Sequence, residues 1–483
     1  MYLPNFSPRL GDRMGMAEKR RLLLRFHWLE MEILEILASW SETIVYIPVR
    51  AGIGRHLWEQ AVHCDRIGWA LRNLKHLGRV AAANAPSDEF VRCCEQLHAT
   101  KEPALRLVGL YQVLIPELDA AEGAYLVATD PLADANAIEA LELCRREHAA
   151  QREWAERVLG TLLTTAAERR QAVEFAHAQR LALLAAGGIA ADGPAAYFLP
   201  YHGWPEEDEA TAARAELPTA VGQWQSGGYR YVKSFRRGVV ELQWDCRFRY
   251  AESPAELEVV PPHGSVDGLV HWLHGLFHGE CQTVDRMGWL LVDFPDLPWD
   301  MRKDMAQQAW EEARHMQIVA QLIEGLGGRL GQYPFPPYFG RLRRDHHHPV
   351  MHMVLGNVMG EGSAAAATND ALKYTVDWGN DWLRHGLEHL SADEVVHVNF
   401  GKRWGKQLSH ADRERYWQEG KANAHAAIDA MEAARAAFGF QPNPQRQIER
   451  ADREFDALLG KQADAAVAEA SPGAPATNYC PLA

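Results

Sequence analysis

Two short segments, WEEARHM (310–316) and ADEVVHV (392–398), place a Glu and a His three residues apart in otherwise apolar surroundings. Three residues is just under one helical turn, so each pair shares one face. These are the faces a core would claim. Glu312 has Met305, Ala309, Met316 and Val319 for neighbours, with His315 one turn along; Glu394 and His397 have Leu387, Leu390 and Val398. Two more carboxylates are set the same way: Glu280 among Leu273, Leu276, Phe277, Val284 and Met287, and Glu361 among Val354, Val358, Ala364 and Ala365. A carboxylate buried without a partner is strongly disfavoured or forced to protonate. A chain with this pattern must bring these four helix faces together around a shared counter-charge, which a metal ion supplies.

The chain order is Glu280, then Glu312 and His315, then Glu361, then Glu394 and His397. Four carboxylates and two imidazoles on four helices fit a ferritin-like di-iron or di-manganese bundle. Carboxylates bridge two hard cations and offset their charge, and one imidazole completes each coordination sphere. Each element alone has a plainer reading. Ser391 to Glu394 also fits a capping box, with Glu394 turned back to a helix start. Glu311 or Glu312 fits a surface charge.

HGECQTVD, EEARHM and DEVVHVNFGKRW resemble the signature of an uncharacterised ferritin-like family, domain of unknown function 455. That family resembles the MiaE-type tRNA hydroxylases in fold. The resemblance spans about residues 265–410. It implies that Glu280, Glu312, His315, Glu361, Glu394 and His397 are the metal ligands, and it leaves hydroxylation, N-oxygenation, desaturation and oxidative cleavage all open.

Bulk properties bound the rest. The 483 residues are 47% apolar, which suits large folded domains. The formal charge of −14 argues against nucleic acid, tRNA included, as a partner. The seven cysteines form no CxxC pair and no disulfide framework. With no apolar leader near the first residues and no membrane-length apolar run, the expectation is a cytoplasmic protein without a membrane partner.

The first half carries a weaker echo. WEQAVH (58–63) parallels WEEARH (310–315), with Gln60 for Glu312 and His63 for His315. Glu30 or Glu32 would stand for Glu280, Glu117 for Glu361 and Glu147 for Glu394, with Ala150 where His397 should be. A duplication would produce this, leaving residues 1–186 as a degenerate ferritin-like bundle, structural or partner-docking, with His63 a core histidine. The alternative is an unrelated helical domain with chance matches.

The expected organisation is thus mainly α: a first helical unit over 1–186, a linker with a small β element over 187–264, a di-metal bundle over 265–440, and a C-terminal extension with a flexible tail over 441–483. The aromatic and β-branched stretch 229–252 reads as a β-hairpin, and its Arg236, Arg237, Arg247 and Arg249 as a solvated face or an anion patch. His346, His347, His348 and His352 read as a loop near the site mouth, because consecutive histidines cannot face one ion. The function expected is an O2-dependent oxidoreductase with two iron ions, or an Fe/Mn or Mn/Mn pair. Its substrate would be a small molecule or peptide, its electrons would come from an external donor, and an apolar pocket would flank Glu280 and Glu361 near Leu273, Phe277, Val354, Ala364 and Ala365. The alternatives are iron handling, as a ferroxidase, peroxide scavenger or store, and a non-catalytic scaffold.

Overall fold

The computed structural model describes residues 14–41, 47–76, 84–190, 251–335 and 346–460. The expected hairpin and its arginines (229–250) and the tail beyond residue 460 lie outside these. The described residues are mainly helical, with no strand among them.

In the first half, α1 (Met16–Trp40) and α2 (Ile47–Asn73) are long antiparallel neighbours. Pro48 sits in the first turn of α2, where its missing N–H costs nothing. Helix α3 (Asp88–Ala99) is capped by the Ser87 hydroxyl. Helix α4 (Pro103–Leu107) runs through a π-helical segment (Val108–Leu114) into α5 (Ile115–Ala128). Helices α6 (Ala135–Leu162) and α7 (Ala166–Ala185) follow, the latter opened by a Thr165/Glu168 capping box.

After a short turn of helix, α8 (Pro254–Glu258), the second half repeats the long pair as α9 (Val266–Asp293) and α10 (Trp299–Gly325). Helix α11 (Pro349–Met351) enters a second π-helical segment (His352–Glu361) and continues as α12 (Gly362–Thr375). Helix α13 (Asp381–Ala411) is capped by Asn380, after a 3-10 turn (Val376–Trp378) that follows α12 and closes on a left-handed Gly379. The capping reading of Ser391 therefore fails: that residue is inside α13, where its hydroxyl donates to Asn369. Helix α14 (Glu419–Ala437) is followed by α15 (Pro444–Leu459), whose buried Ala451, Phe455 and Leu458 pack on the bundle. From sequence this stretch reads as C-terminal extension; docking on the bundle makes it a helix of the fold.

The two halves share a core. One apolar cluster runs from Leu23, Ile33 and Leu57 through Met287, Leu291 and Met305 to Trp404 and Phe455. The contact is reciprocal. Trp58 stacks on Trp310 with rings 3° from parallel. Arg50 pairs with Asp285, and Arg302 with Glu35 at 2.9 Å. Extending the WEQAVH/WEEARH match puts Arg50 on Arg302, and taking Glu30 for Glu280 puts Glu35 on Asp285, so the two buried ion pairs exchange partners as across a two-fold axis. Close approach is permitted by Gly54, where a Cβ would lie 2.5 Å from that of Ala313, and by Gly288, lying against the Ala38 carbonyl.

Candidate metal centre

Each of the four expected helix faces does turn inward. Glu280 comes from α9, Glu312 and His315 from α10, Glu361 from the last residue of the second π segment, and Glu394 and His397 from α13. All six are buried, Glu312, His315 and His397 completely.

The imidazoles face the carboxylates through Nδ1. His315 Nδ1 lies 3.2 Å from Glu312 Oε2, 3.6 Å from Glu394 Oε1 and 3.6 Å from Glu280 Oε2. His397 Nδ1 lies 3.1 Å from Glu312 Oε1 and 3.3 Å from Glu394 Oε2. Glu312 and Glu394 therefore each turn one oxygen to each imidazole, as bridging carboxylates do. Oxygen or nitrogen atoms of Glu280, Glu312, His315 and Glu394 all come within 4.8 Å of one another, close enough to hold an ion.

Glu361 is at the edge of this group and is differently held. Its Oε1 takes an ion pair from Arg286 and a 3.3 Å hydrogen bond from Gln308 Nε2, which also donates to Glu312 Oε1 at 3.0 Å. Asn357 Nδ2 donates to Gln308 Oε1 at 2.7 Å and fixes that amide. The guanidinium can lie there because position 356 is glycine: a Cβ would overlap Arg286.

The outer nitrogens are also occupied. His315 Nε2 meets Asp393 Oδ2 at 3.1 Å, and Asp393 accepts from Arg314 at 3.0 Å. His397 Nε2 meets Glu311 Oε2 at 3.0 Å. Such partners set a metal-binding histidine's tautomer and free its other nitrogen for the ion. Glu311 is thus buried against His397 and is not a surface charge. Neither carboxylate was singled out from sequence for this role. The available signal was an acidic residue directly before each ligand glutamate.

Electrostatics favour a cation here. Burial raises Glu280 well above the usual carboxylate range, and the Glu312 charge adds to it. Burial likewise pushes Glu361 up to about 8, helped by Glu312 and opposed by Arg286. Burial opposes charge on both histidines, yet the surrounding carboxylates hold them well above the usual imidazole range. Glu280 Oε1, Glu312 Oε2 and His315 Nδ1 are buried without hydrogen bonds. Only Glu361 has a fixed cation beside it, Arg286, so a bound cation would offset the charge of the remaining buried carboxylates.

A cavity of about 180 Å³ opens beside the centre. Glu280, Glu361 and Arg286 border it, with Gly275, Gly279, Gly356, Gly360 and Ala364 leaving the space and Leu276 and Trp289 walling it. Of the expected lining only Ala364 takes part. Leu273, Phe277 and Val354 are buried in the apolar core instead, and Gln282 and Thr283 make the lining more polar than foreseen. Of the histidine run, His347 Nδ1 is 2.7 Å from His352 Nε2, and His348 Nε2 bonds the Arg415 carbonyl.

The first half also has inward polar groups, but not all of those foreseen. Glu30, rather than Glu32, meets His63, at 3.3 Å. Glu117 lies 3.8 Å from Arg180 and is not part of this cluster; Glu122 is. Cys144 and His148 face inward, while Glu147 holds the outer His63 Nε2 at 2.9 Å. The π-helical segment ahead of α5 shifts its register, and the i, i+4 pair on α6 replaces the i, i+3 pair used for the comparison.

Residues 239–443 match DUF455, a family described as a protein of unknown function. The DUF455 match contains all six clustered residues and none of the first half. No curated protein and no solved structure matches the chain.

Proposed function

We propose that the DUF455 region is a ferritin-like di-metal carboxylate centre, with iron the first candidate, and that it uses O2 to oxidise a small organic molecule. The observation that carries this reading is the crossed arrangement of Glu312 and Glu394, one oxygen to each imidazole. Glu280 on the His315 side and Glu361 near Gln308 and Glu312 supply the remaining carboxylates. Iron in such a donor set supplies electrons to O2 and oxidising power to an adjacent substrate.

The chain's own residues supply the rest. Asp393 and Glu311 hold the imidazole rings so that Nδ1 faces inward. Trp289 and Leu276 restrict water beside the reacting centre. Arg286 borders the cavity with its charge paired to Glu361 and its Nε–H without a partner, which suits a substrate group that accepts a hydrogen bond, such as a carboxylate. Glu361, held by Arg286 and Gln308, stands at the cavity wall as the carboxylate at the edge of the donor set.

The test is metal analysis of the purified chain, then O2 uptake with reductant and a panel of small carboxylates. Two ions per second-half centre and substrate-dependent uptake are expected. Sustained oxidation of free Fe(II) with mineral accumulation would replace this reading with iron storage.

A further inference from the structure

The first half holds five buried groups that no part of the proposed function uses: Glu30, His63, Glu122, Cys144 and His148. They come from α1, α2, α5 and α6, the same kind of four-helix convergence as in the second half. Glu30 is shared between two sets. Its Oε2 faces His63 Nδ1 at 3.3 Å, and its Oε1 faces His148 Nε2 at 3.4 Å. Potential ligand atoms of Glu30, His63 and Cys144 lie within 4.8 Å of one another, as do those of Glu30, Glu122 and His148.

Three observations separate this from an ordinary buried ion network. The groups do not satisfy each other. Neither oxygen of Glu122, neither ring nitrogen of His148, and not Glu30 Oε1 makes a hydrogen bond. The nearest approach of His148 Nδ1 to Glu122 is 3.7 Å, too long for one. His148 therefore meets Glu30 and Glu122 only as loose ion pairs, at 3.4 and 3.7 Å, and an ion among these buried atoms would satisfy them together.

Second, His63 is mounted as the second-half histidines are, with Nδ1 inward and Nε2 held by an outer carboxylate, here Glu147 at 2.9 Å. Third, the reciprocal contacts Trp58 with Trp310, Arg50 with Asp285 and Arg302 with Glu35 relate α1 and α2 to α9 and α10. Under that relation Glu30 takes the place of Glu280 and His63 that of His315. The place of Glu312 is taken by Gln60, whose Nε2 donates to Gln151.

We propose that the first half is a second metal site, with Glu30, His63, Glu122 and His148 as ligands and the Cys144 sulfur within reach of the Glu30–His63 side. Two imidazoles and a thiol beside fewer carboxylates make the set softer than the second-half centre. It suits a borderline divalent ion such as zinc or iron(II), by the matching of donor softness to metal. The inference does not depend on the second-half reading, because its residues are separate.

The test uses the full chain carrying Glu312→Ala and Glu394→Ala, which disable the second centre. After loading with zinc or iron(II) and desalting, it should retain at least one tightly bound ion per chain. Adding Glu122→Gln and His148→Gln, which keep side-chain volume, should abolish that retention while the helical circular dichroism is unchanged. The same two changes in the otherwise native chain should remove only the corresponding share of metal. If the Glu312→Ala, Glu394→Ala chain folds yet retains no ion, or if Glu122→Gln and His148→Gln leave retention intact, the site is a buried ion network and the proposal fails. Loss of metal in the native chain on Glu312→Ala alone bears on the second centre and not on this one.

Discussion

At the scale of single residues, the outer carboxylates decide whether an inward histidine can serve a metal. Asp393 and Glu311 each take an Nε2, and each is placed one residue before a proposed ligand. Replacing Asp393 with Ala should weaken metal binding about 10–100-fold without emptying the fold, the usual cost of losing such a support. A metal titration followed by calorimetry checks it. Glu312→Ala and Glu394→Ala remove bridging groups and should abolish paired binding and O2 uptake; full occupancy in either would make that residue dispensable. A separate residue effect concerns acid. Burial holds His56 down to about 3, with its Nδ1 2.6 Å from the Tyr111 hydroxyl. Its folded value is depressed below the unfolded 6.5, so the unfolded chain takes up the proton first as pH falls. The stabilisation is whole above 6.5 and shrinks below it. Between about pH 7 and pH 5 this group alone should cost about 2 kcal/mol. Denaturant unfolding of His56→Gln should show a slope against pH shallower by about that amount; equal slopes would assign the acid sensitivity elsewhere.

At the scale of elements, the glycines separate helices that touch from helix faces that do not. Gly54 of α2 would bring a Cβ to 2.5 Å from Ala313 and 2.9 Å from the Ala309 carbonyl. Because backbone must move, Gly54→Ala should destabilise by about 1–3 kcal/mol. Ala313 adjoins Glu312, so metal occupancy should fall as well. Gly160 of α6 is exposed with nothing within 4 Å, so Gly160→Ala should stabilise by roughly 0.4–1 kcal/mol through lost unfolded-chain freedom. Thermal melts of the two variants must move in opposite directions. The long helices were legible from sequence because the period of their apolar residues is local information. Helix α15 was missed because it is polar outside a narrow seam of Ala451, Phe455 and Leu458, and only its docking site makes that seam a core.

At the scale of the whole molecule, the two halves form one cooperative body. Arg50 with Asp285 and Arg302 with Glu35 are buried between them, and the apolar cluster is continuous across the junction. The chain should melt in a single transition. Arg50→Met leaves Asp285 buried without its counter-charge and should cost about 3–5 kcal/mol; adding Asp285→Leu should recover much of it, since apolar replacement of a whole buried pair is often neutral. A double change no better than the single one would show that the cost lies in packing. The reciprocal exchange of these pairs also supports the duplication inferred from WEQAVH and WEEARH.

The helices, the inward faces and the six residues of the second half are legible along the chain, because an i, i+3 spacing on an apolar face is local information. In the first half the sequence leaves Glu30 and Glu32 as alternatives and reads His63 as a core histidine. Which oxygen meets which imidazole, that Arg286 claims Glu361, and that Asp393 and Glu311 meet the outer nitrogens emerge only when the helices pack. Packing alone puts Glu122 and His148 into the cluster where the sequence comparison offers Glu117 and Ala150. The physical reason is the same throughout. Which way a side chain faces is fixed by neighbours one turn away, whereas what it meets depends on the offset between helices, set by close contacts such as Gly54 on Ala313 and Gly356 beneath Arg286.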